Sequence, residues 1–108
     1  MNKIALLYTT ISSLEDAENL AEKAVTEKYA ACVSIIPQAL SIYIWEGKVE
    51  KSAECLLLFK TDSTRINDLQ KWLKELHPYV LPAVLKGNIE SSSEFYHYIH
   101  DCTVSEPV

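Results

Sequence analysis

Apolar runs typical of strands alternate with apolar stripes typical of helices at the start of the chain. Residues 4–8 form a continuous apolar run, which indicates a strand covered on both faces. Ser12 and Glu15 have the spacing of a capping box, and apolar residues then recur at helical intervals, so we predict a helix to about Lys28. The stripe of this helix consists of Leu14, Ala17, Ala21, Ala24 and Val25.

A long β-hairpin is predicted next, between about Ala31 and Lys60. Its first arm is rich in Val, Ile and Tyr as far as Ile44, and it is interrupted by Pro37, which a strand tolerates only at an edge or a bulge. Gly47 stands where a tight turn requires a positive φ. Both arms exceed the usual strand length of about 5 to 6 residues, and two helices cannot cover them. Self-association is therefore expected.

The last third of the chain predicts a helix, a strand and a short helix. Asp62 or Ser63 can cap the first of these, and it stops at His77 because a residue before proline resists the α conformation. Residues 82–89 indicate a weaker fourth strand. Ser91 with Glu94, another capping box, begins a last helix that precedes a polar tail.

The predicted order of elements is βαββαβα. Right-handed crossovers then give an α+β fold, a ferredoxin-like split βαβ sandwich, in which two helices cover one face of a four-stranded antiparallel sheet. With 108 residues, we expect one domain that spans residues 1–108.

The composition limits which binding partners and which cellular compartment are expected. The net charge is −5 and there is no Lys or Arg run, so neither nucleic acid nor an anionic membrane is an expected partner. The three cysteines, Cys32, Cys55 and Cys102, have no CxxC spacing, which favours a reducing, cytoplasmic location. Cys32 and Cys55 fall in apolar strands and are expected to be unreactive core residues. No nucleophile elbow or phosphate-binding loop is present, so no enzymatic activity is predicted.

Histidines supply the candidate metal ligands. His77 begins the stretch HPYVLP, and it either ends a helix, with favourable charge at the helix dipole, or offers a ligating nitrogen beside Tyr79. Zinc or copper usually needs three or four ligands, so the others would have to come through the fold or another subunit. His97 and His100 stand three apart on the last helix and are either a solvated face or a secondary metal site.

Two aromatic residues and one lysine are candidates for a binding surface. Tyr43 and Trp45 share one face of the hairpin tip, where they either hold the hairpin together or dock on a neighbouring subunit. Lys60 leaves an apolar strand and either anchors an anionic ligand or pairs with a carboxylate.

Several motifs in the right order resemble the CutA family of divalent-cation tolerance proteins. EKYAACVSIIPQALSIYIWEGKVEKSAECLLLFKT, residues 27–61, is similar to the family's AACxxxxP, SxYxWxGK and LxxKT run, and ELHPYVLP is similar to its HPYxxP motif. The resemblance covers nearly the whole chain. It implies a homotrimer similar in architecture to PII proteins, no required cofactor, no catalytic activity and a link to tolerance of copper and other divalent ions.

The resemblance also implies site residues. His77 matches a proposed copper ligand, and Tyr43, Trp45, Lys60 and Tyr79 match residues of a cleft between subunits. The chain departs from the family pattern at Tyr8, Leu76, Val80 and Ala83, where some members have a cysteine, a histidine and two acidic residues, and at residues 86–88, where the family usually has an apolar run with proline. Two hypotheses follow: a copper-binding tolerance protein, or a PII-like module whose cleft binds a small anion or a partner peptide.

Overall fold

The computed structural model describes residues 2–104. The polar tail that was predicted after the last helix lies outside the described residues. Four strands form one antiparallel sheet in the order β2-β3-β1-β4, which confirms the predicted α+β fold. The elements are β1 (Asn2–Ile11), α1 (Leu14–Thr26), β2 (Cys32–Trp45), β3 (Lys48–Thr61), a 3-10 helix (Ser63–Arg65), α2 (Ile66–Leu76), β4 (Leu85–Ser91) and α3 (Ser93–Val104).

The main core lies between the sheet and helices α1 and α2. Because side chains alternate across a strand, Leu7 of β1 and Phe59 of β3 point to the same face, and both are fully buried. Small residues of α1, such as Ala17 and Ala24, let the helix backbone approach the strands closely. From α2, the buried contributors are Leu69, Trp72 and Leu73.

Helix α3 packs on the opposite face of the sheet. Its residue Ile99 forms a small buried cluster with Ile4 of β1 and with Ala31. Ile4 lies three residues before Leu7 and so projects to the other side of the strand. The prediction of two helices on one face is confirmed, and the third helix covers part of the face that they leave open.

Strands β2 and β3 form a ribbon that projects beyond the helices. The predicted irregularity at Pro37 is confirmed, since the register shifts between Ile36 and Ala39. Glu46 and Gly47 form the turn, both with positive φ, which matches the right-handed twist of a tight hairpin. The radius of gyration is 14.8 Å, above the roughly 13 Å of a compact chain of this length.

One face of this ribbon carries apolar side chains that the subunit does not cover. Ile44, for example, is 74% exposed. The apolar strip, as we call this surface, consists of Leu40, Ile42, Ile44 and Val49. The sequence-based expectation of excess apolar surface on the hairpin is therefore confirmed for a single subunit.

Three local predictions were wrong by a few residues. The cap of α1 is Ser13, whose hydroxyl accepts a hydrogen bond from the backbone N–H of Asp16 at 3.2 Å, and not Ser12. Likewise the hydroxyl of Ser92, and not of Ser91, accepts from the N–H of Phe95 at 3.3 Å. Strand β4 begins after the predicted start at residue 82, because a proline has no N–H to donate to the sheet.

Two further observations concern surfaces. Cys55 is buried as expected, whereas Cys32 is partly exposed, so the prediction that both are core residues was wrong for Cys32. It begins β2 on the face of the sheet opposite to α1 and α2, where cover is incomplete. Among residues 2–104, none of the helices combines the length and the apolar character that a bilayer crossing requires.

Candidate functional site

A cleft of about 900 Å³ lies between the ribbon and the segment that follows α2. We call it the ribbon cleft. Its walls are the end of β1, the ribbon itself and residues 79–83. The polar and aromatic side chains that matter most here are Thr10, Ser41, Tyr43, Trp45, Glu54 and Tyr79.

The floor of the ribbon cleft contains a buried carboxylate. Glu54 of β3 is 9% exposed, and its Oε2 accepts a 2.6 Å hydrogen bond from the hydroxyl of Tyr79. Burial alone would raise the pKa of Glu54, but hydrogen bonds from Tyr79, Ser41 and Thr10 outweigh burial and lower this pKa. The cleft therefore holds a negative charge at neutral pH.

Tyr79 is the main donor to this carboxylate. Burial and the hydrogen bond to the negatively charged Glu54 raise the pKa of Tyr79 to about 12, so its phenol keeps its proton over the whole physiological range. A permanently protonated phenol next to a permanently ionised carboxylate forms a fixed, charge-assisted pair. This pair ties the loop after α2 to strand β3.

His77 ends α2 and faces the end of β1. Its Nδ1 accepts a hydrogen bond from the N–H of Tyr79 at 3.1 Å, so the ring proton is on Nε2. Nε2 lies 2.9 Å from the carbonyl oxygen of Thr10 and 3.1 Å from the hydroxyl of Thr9. Burial lowers the pKa of His77, and the Thr10 carbonyl and the charge of Glu54 oppose this only in part. The ring is therefore neutral and both of its nitrogens are engaged.

These contacts give the stretch HPYVLP a structural role. The backbone of His77 is extended, with φ −68° and ψ 132°, as expected before a proline, and its N–H donates to the carbonyl of Leu73. A metal ion could bind His77 only at the expense of one ring hydrogen bond. Ligation by His77 stays a prediction. Val80, within the same stretch, is 97% exposed.

Three of the four predicted cleft residues lie together. Tyr43, Trp45 and Tyr79 all line the ribbon cleft, and Tyr43 and Trp45 are about half exposed. Lys60 is elsewhere: it lies six residues along β3 from Glu54, which is about 20 Å in a strand. Within residues 2–104, its ammonium group donates to the hydroxyl of Ser34 and forms no ion pair with a carboxylate.

His97 and His100 both contact Tyr96, and His100 also pairs with a carboxylate. His100 Nδ1 lies 2.8 Å from Oδ1 of the buried Asp62, and its ring stacks on Tyr96. His97 meets Tyr96 edge to face instead. Residues 2–104 contain no group of three or more His, Cys, Asp or Glu side chains placed to hold a metal ion.

Sequence reasoning missed two functional carboxylates. Asp62 was predicted only as a helix cap, although it also holds His100, and Glu54 was not singled out at all. A charged residue directly before the apolar run 55–59 is a signal of a buried carboxylate. The hydrogen-bond donors to the Glu54 carboxylate come from distant parts of the chain, so no local sequence pattern reveals them.

The sheet order, the two helices on one face and the projecting ribbon define a ferredoxin-like α+β subunit. The sequence model of the CutA1 divalent ion tolerance protein family matches residues 5–102. The chain belongs to this family.

Relatives agree with this assignment. The chain is 42% identical over 95 residues to the divalent-cation tolerance protein CutA of Yersinia pestis, covering 88% of this chain and 79% of that protein. It is 33% identical over 103 residues to protein CutA of Mus musculus, covering 94% of this chain. The chain spans 58% of the length of this mouse protein and 62% of the length of a CutA homolog from Xenopus laevis.

Solved structures share the fold. The crystal structure of the divalent ion tolerance protein CutA1 from Ehrlichia chaffeensis superposes with a TM-score of 0.90 at 30% identity, covering 95% of this chain and 97% of that chain. A structure described as the periplasmic divalent cation tolerance protein CutA from Archaeoglobus fulgidus has a TM-score of 0.87 at 34% identity, covering 93% and 98%.

Proposed function

We propose that this protein acts in divalent-cation tolerance as a cytoplasmic homotrimer without enzymatic activity, which binds or responds to divalent ions such as copper. The main support is the family match over residues 5–102, together with a ribbon whose apolar strip a single subunit leaves in water. Exposed apolar patches of this kind mark protein interfaces.

The apolar strip supports self-association specifically. It lies on a β-ribbon that extends away from the helices, so no further element of residues 2–104 can fold over it. A closed ring of identical subunits would bury the strip of each copy equally and leave no unpaired surface. The number of three subunits comes from the family resemblance.

Divalent ions are the proposed ligands because the ribbon cleft carries negative charge. Glu54 is ionised, and the cleft lining within residues 2–104 contains no Lys or Arg. A cation is therefore attracted to this cleft. Direct ligation by His77 would displace the N–H of Tyr79 from Nδ1, so we expect affinity at this residue to be weak.

Calorimetry with Cu(II) tests the metal proposal. The wild-type protein, His77→Ala and the matched control His97→Ala are titrated under identical conditions. Weaker binding by His77→Ala alone supports His77 as a ligand, and unchanged binding removes it. A second experiment expresses the protein in a copper-stressed host that lacks its own family member. The proposed function would be contradicted if the wild-type protein bound no Cu(II) and its expression also had no effect on the growth of this host.

The alternative is a PII-like module that binds a small anion or a partner peptide in the cleft. It has less support, because Lys60, the proposed anion anchor, is remote from Tyr79 within one subunit. A thermal-shift screen with nucleotides and organic acids separates the two hypotheses. Stabilisation by an anion would favour the alternative, and no stabilisation would count against it.

A further inference from the structure

The carboxylate of Glu54 has no positively charged partner within the described subunit. Glu54 is 9% exposed and lines the ribbon cleft. Its hydrogen-bond donors are the neutral hydroxyls of Tyr79, Ser41 and Thr10. The ion pairs within residues 2–104 do not include Glu54, and His77 is neutral because burial lowers its pKa. A carboxylate is rarely buried unless a cation pairs with it, so the charge of Glu54 is unbalanced within one subunit.

The carboxylate of Glu54 can accept one more hydrogen bond. A carboxylate has about four lone-pair sites, and the three hydroxyl donors leave one of them for a donor from a ligand. Further hydroxyl groups lie on the same face of the ribbon. Ser52 lies two residues before Glu54 on β3, and Ser41 lies directly opposite Ser52 on β2. The floor of the cleft therefore offers hydrogen-bond acceptors around one negative charge.

Aromatic and apolar surface lies next to this charge. The hydroxyl of Tyr43 lies 3.4 Å from that of Ser52, so the Tyr43 ring points along the ribbon towards Glu54. The loop after α2 adds Val80 and Leu81 to the lining, which are 97% and 73% exposed. The face of an aromatic ring attracts cations, and apolar side chains contact hydrocarbon. The cleft therefore suits a cation that carries a hydrocarbon group.

A bare metal ion at Glu54 would use little of this surface. Divalent ions in proteins usually take about four to eight ligands. Residues 2–104 contain no group of three or more His, Cys, Asp or Glu side chains that could hold a metal. The cleft volume of about 900 Å³ lies within the roughly 300 to 1,000 Å³ of pockets that hold organic ligands. The size and the lining of the cleft both favour an organic cation at Glu54.

We propose that the ribbon cleft binds an organic primary ammonium ion, whose N–H groups donate to Glu54 and whose hydrocarbon group packs against Tyr43 and residues 80–83. The ion is a primary ammonium, because the remaining lone-pair site of the carboxylate needs an N–H donor, which a quaternary ammonium lacks. The site requires no metal ion, so it goes beyond the proposed role in divalent-cation tolerance and does not rest on it.

Calorimetry with phenethylammonium chloride tests this site in the native protein, with EDTA present to remove metal ions. The matched control ligands are phenethyl alcohol, which has a hydroxyl in place of the ammonium group, and hydrocinnamate, which carries a negative charge. The wild type is expected to bind phenethylammonium and to bind both controls at least about tenfold more weakly, because neither can pair its charge with Glu54. Equal binding of phenethylammonium and phenethyl alcohol would overturn the proposal, and so would the absence of any binding.

Three variants locate the bound ammonium ion. Glu54→Gln keeps the size of the side chain and removes its charge, so it is expected to bind phenethylammonium at least about tenfold more weakly. Tyr43→Ala removes the aromatic ring and is also expected to bind more weakly. The control Glu90→Gln removes the same charge from an exposed position on β4 and should keep the wild-type affinity. Wild-type affinity in Glu54→Gln or in Tyr43→Ala would overturn the proposal.

Two further measurements keep the outcome clear. Circular dichroism verifies that each variant is folded, and the comparison of ligands on the wild type decides the question if Glu54→Gln is not. Phenethylammonium binding by a protein that binds no Cu(II) would support the organic-cation site alone. Cu(II) binding by a protein that does not bind phenethylammonium would support the metal proposal and overturn this one.

Discussion

The hydroxyl of Tyr79 donates a 2.6 Å hydrogen bond to the carboxylate of Glu54, and this contact joins the loop after α2 to the stem of the ribbon. The carboxylate is buried and ionised, so its hydrogen-bond donors offset the cost of removing its charge from water. Tyr79 also fixes His77 through its backbone N–H. One loop residue thus holds both the buried Glu54 carboxylate and the His77 ring.

Removal of this hydroxyl is expected to destabilise the protein. Tyr79→Phe should lower the free energy of unfolding by about 1.5 to 3 kcal/mol, the usual value of a hydrogen bond to a charged group. The matched control is Tyr43→Phe, because the hydroxyl of Tyr43 has only a 3.4 Å contact with that of Ser52. It should change the free energy by less than about 0.5 kcal/mol. Urea unfolding at one fixed protein concentration measures both, and equal losses would contradict the assigned role of Tyr79.

Stability is expected to fall as the pH is lowered. The pKa values of His77 and Glu54 are both lowered in the folded protein. Each group therefore stabilises the fold above its unfolded pKa, and this contribution is lost as the pH falls through the folded value. We expect the urea midpoint to decline below about pH 6.5, where His77 begins to protonate in the unfolded chain, and again below 4.5 for Glu54.

The variant His77→Gln distinguishes the contribution of His77 to this pH dependence from that of Glu54. His77→Gln has no titrating ring, so the decline that begins near pH 6.5 should disappear from its profile while the step at lower pH stays. Urea midpoints recorded for both proteins between pH 4 and 8 supply the comparison. A wild-type midpoint that rises on acidification from neutral pH would show that His77 is not held neutral by the fold.

Asp62 is expected to control the attachment of α3. Its Oδ1 contacts His100 at 2.8 Å, and its Oδ2 accepts from the N–H of Thr64 at 3.0 Å. Asp62→Ala removes a cap, which costs about 0.5 to 2 kcal/mol, and also frees His100. Hydrogen exchange should speed up in Ser93–Val104 for Asp62→Ala and, to a smaller extent, for His100→Ala. The exposed control His97→Ala should leave exchange unchanged, and equal protection in all three variants would argue against this attachment.

The apolar strip is expected to control assembly. Ile44→Asp places a charge on the most exposed residue of the strip, and it should weaken self-association at least about tenfold, equivalent to about 1.4 kcal/mol. Val25→Asp adds the same charge to the outer face of α1, where Val25 is 41% exposed, and should have little effect. A dilution series in the ultracentrifuge measures both. Indistinguishable dissociation of Ile44→Asp and the wild type would exclude the strip from the interface.

The fold could be predicted from the sequence because its signals are local. The positive φ at Gly47 and the irregularity at Pro37 each follow from the chemistry of one residue. Helical and strand periodicity fixed the order of the elements. The errors at Ser12 and Ser91 are shifts of one residue, because two neighbouring serines compete for each cap position.

The candidate site could be predicted only in part. The family resemblance grouped Tyr43, Trp45 and Tyr79 as residues of a cleft between subunits, and within one subunit all three line the ribbon cleft. The partners of His77 lie 67 and 68 residues away along the chain, and Glu54 lies 25 residues from Tyr79. Contacts of this kind depend on the antiparallel register of the sheet, and no spacing in the sequence reveals them.

The mass of the native protein in dilute solution tests the central claim most directly, because the proposed assembly rests on the uncovered apolar strip of the ribbon. Sedimentation velocity of the reduced wild-type protein at micromolar concentration is expected to give the mass of three chains. A single, fully folded chain under these conditions would contradict the account.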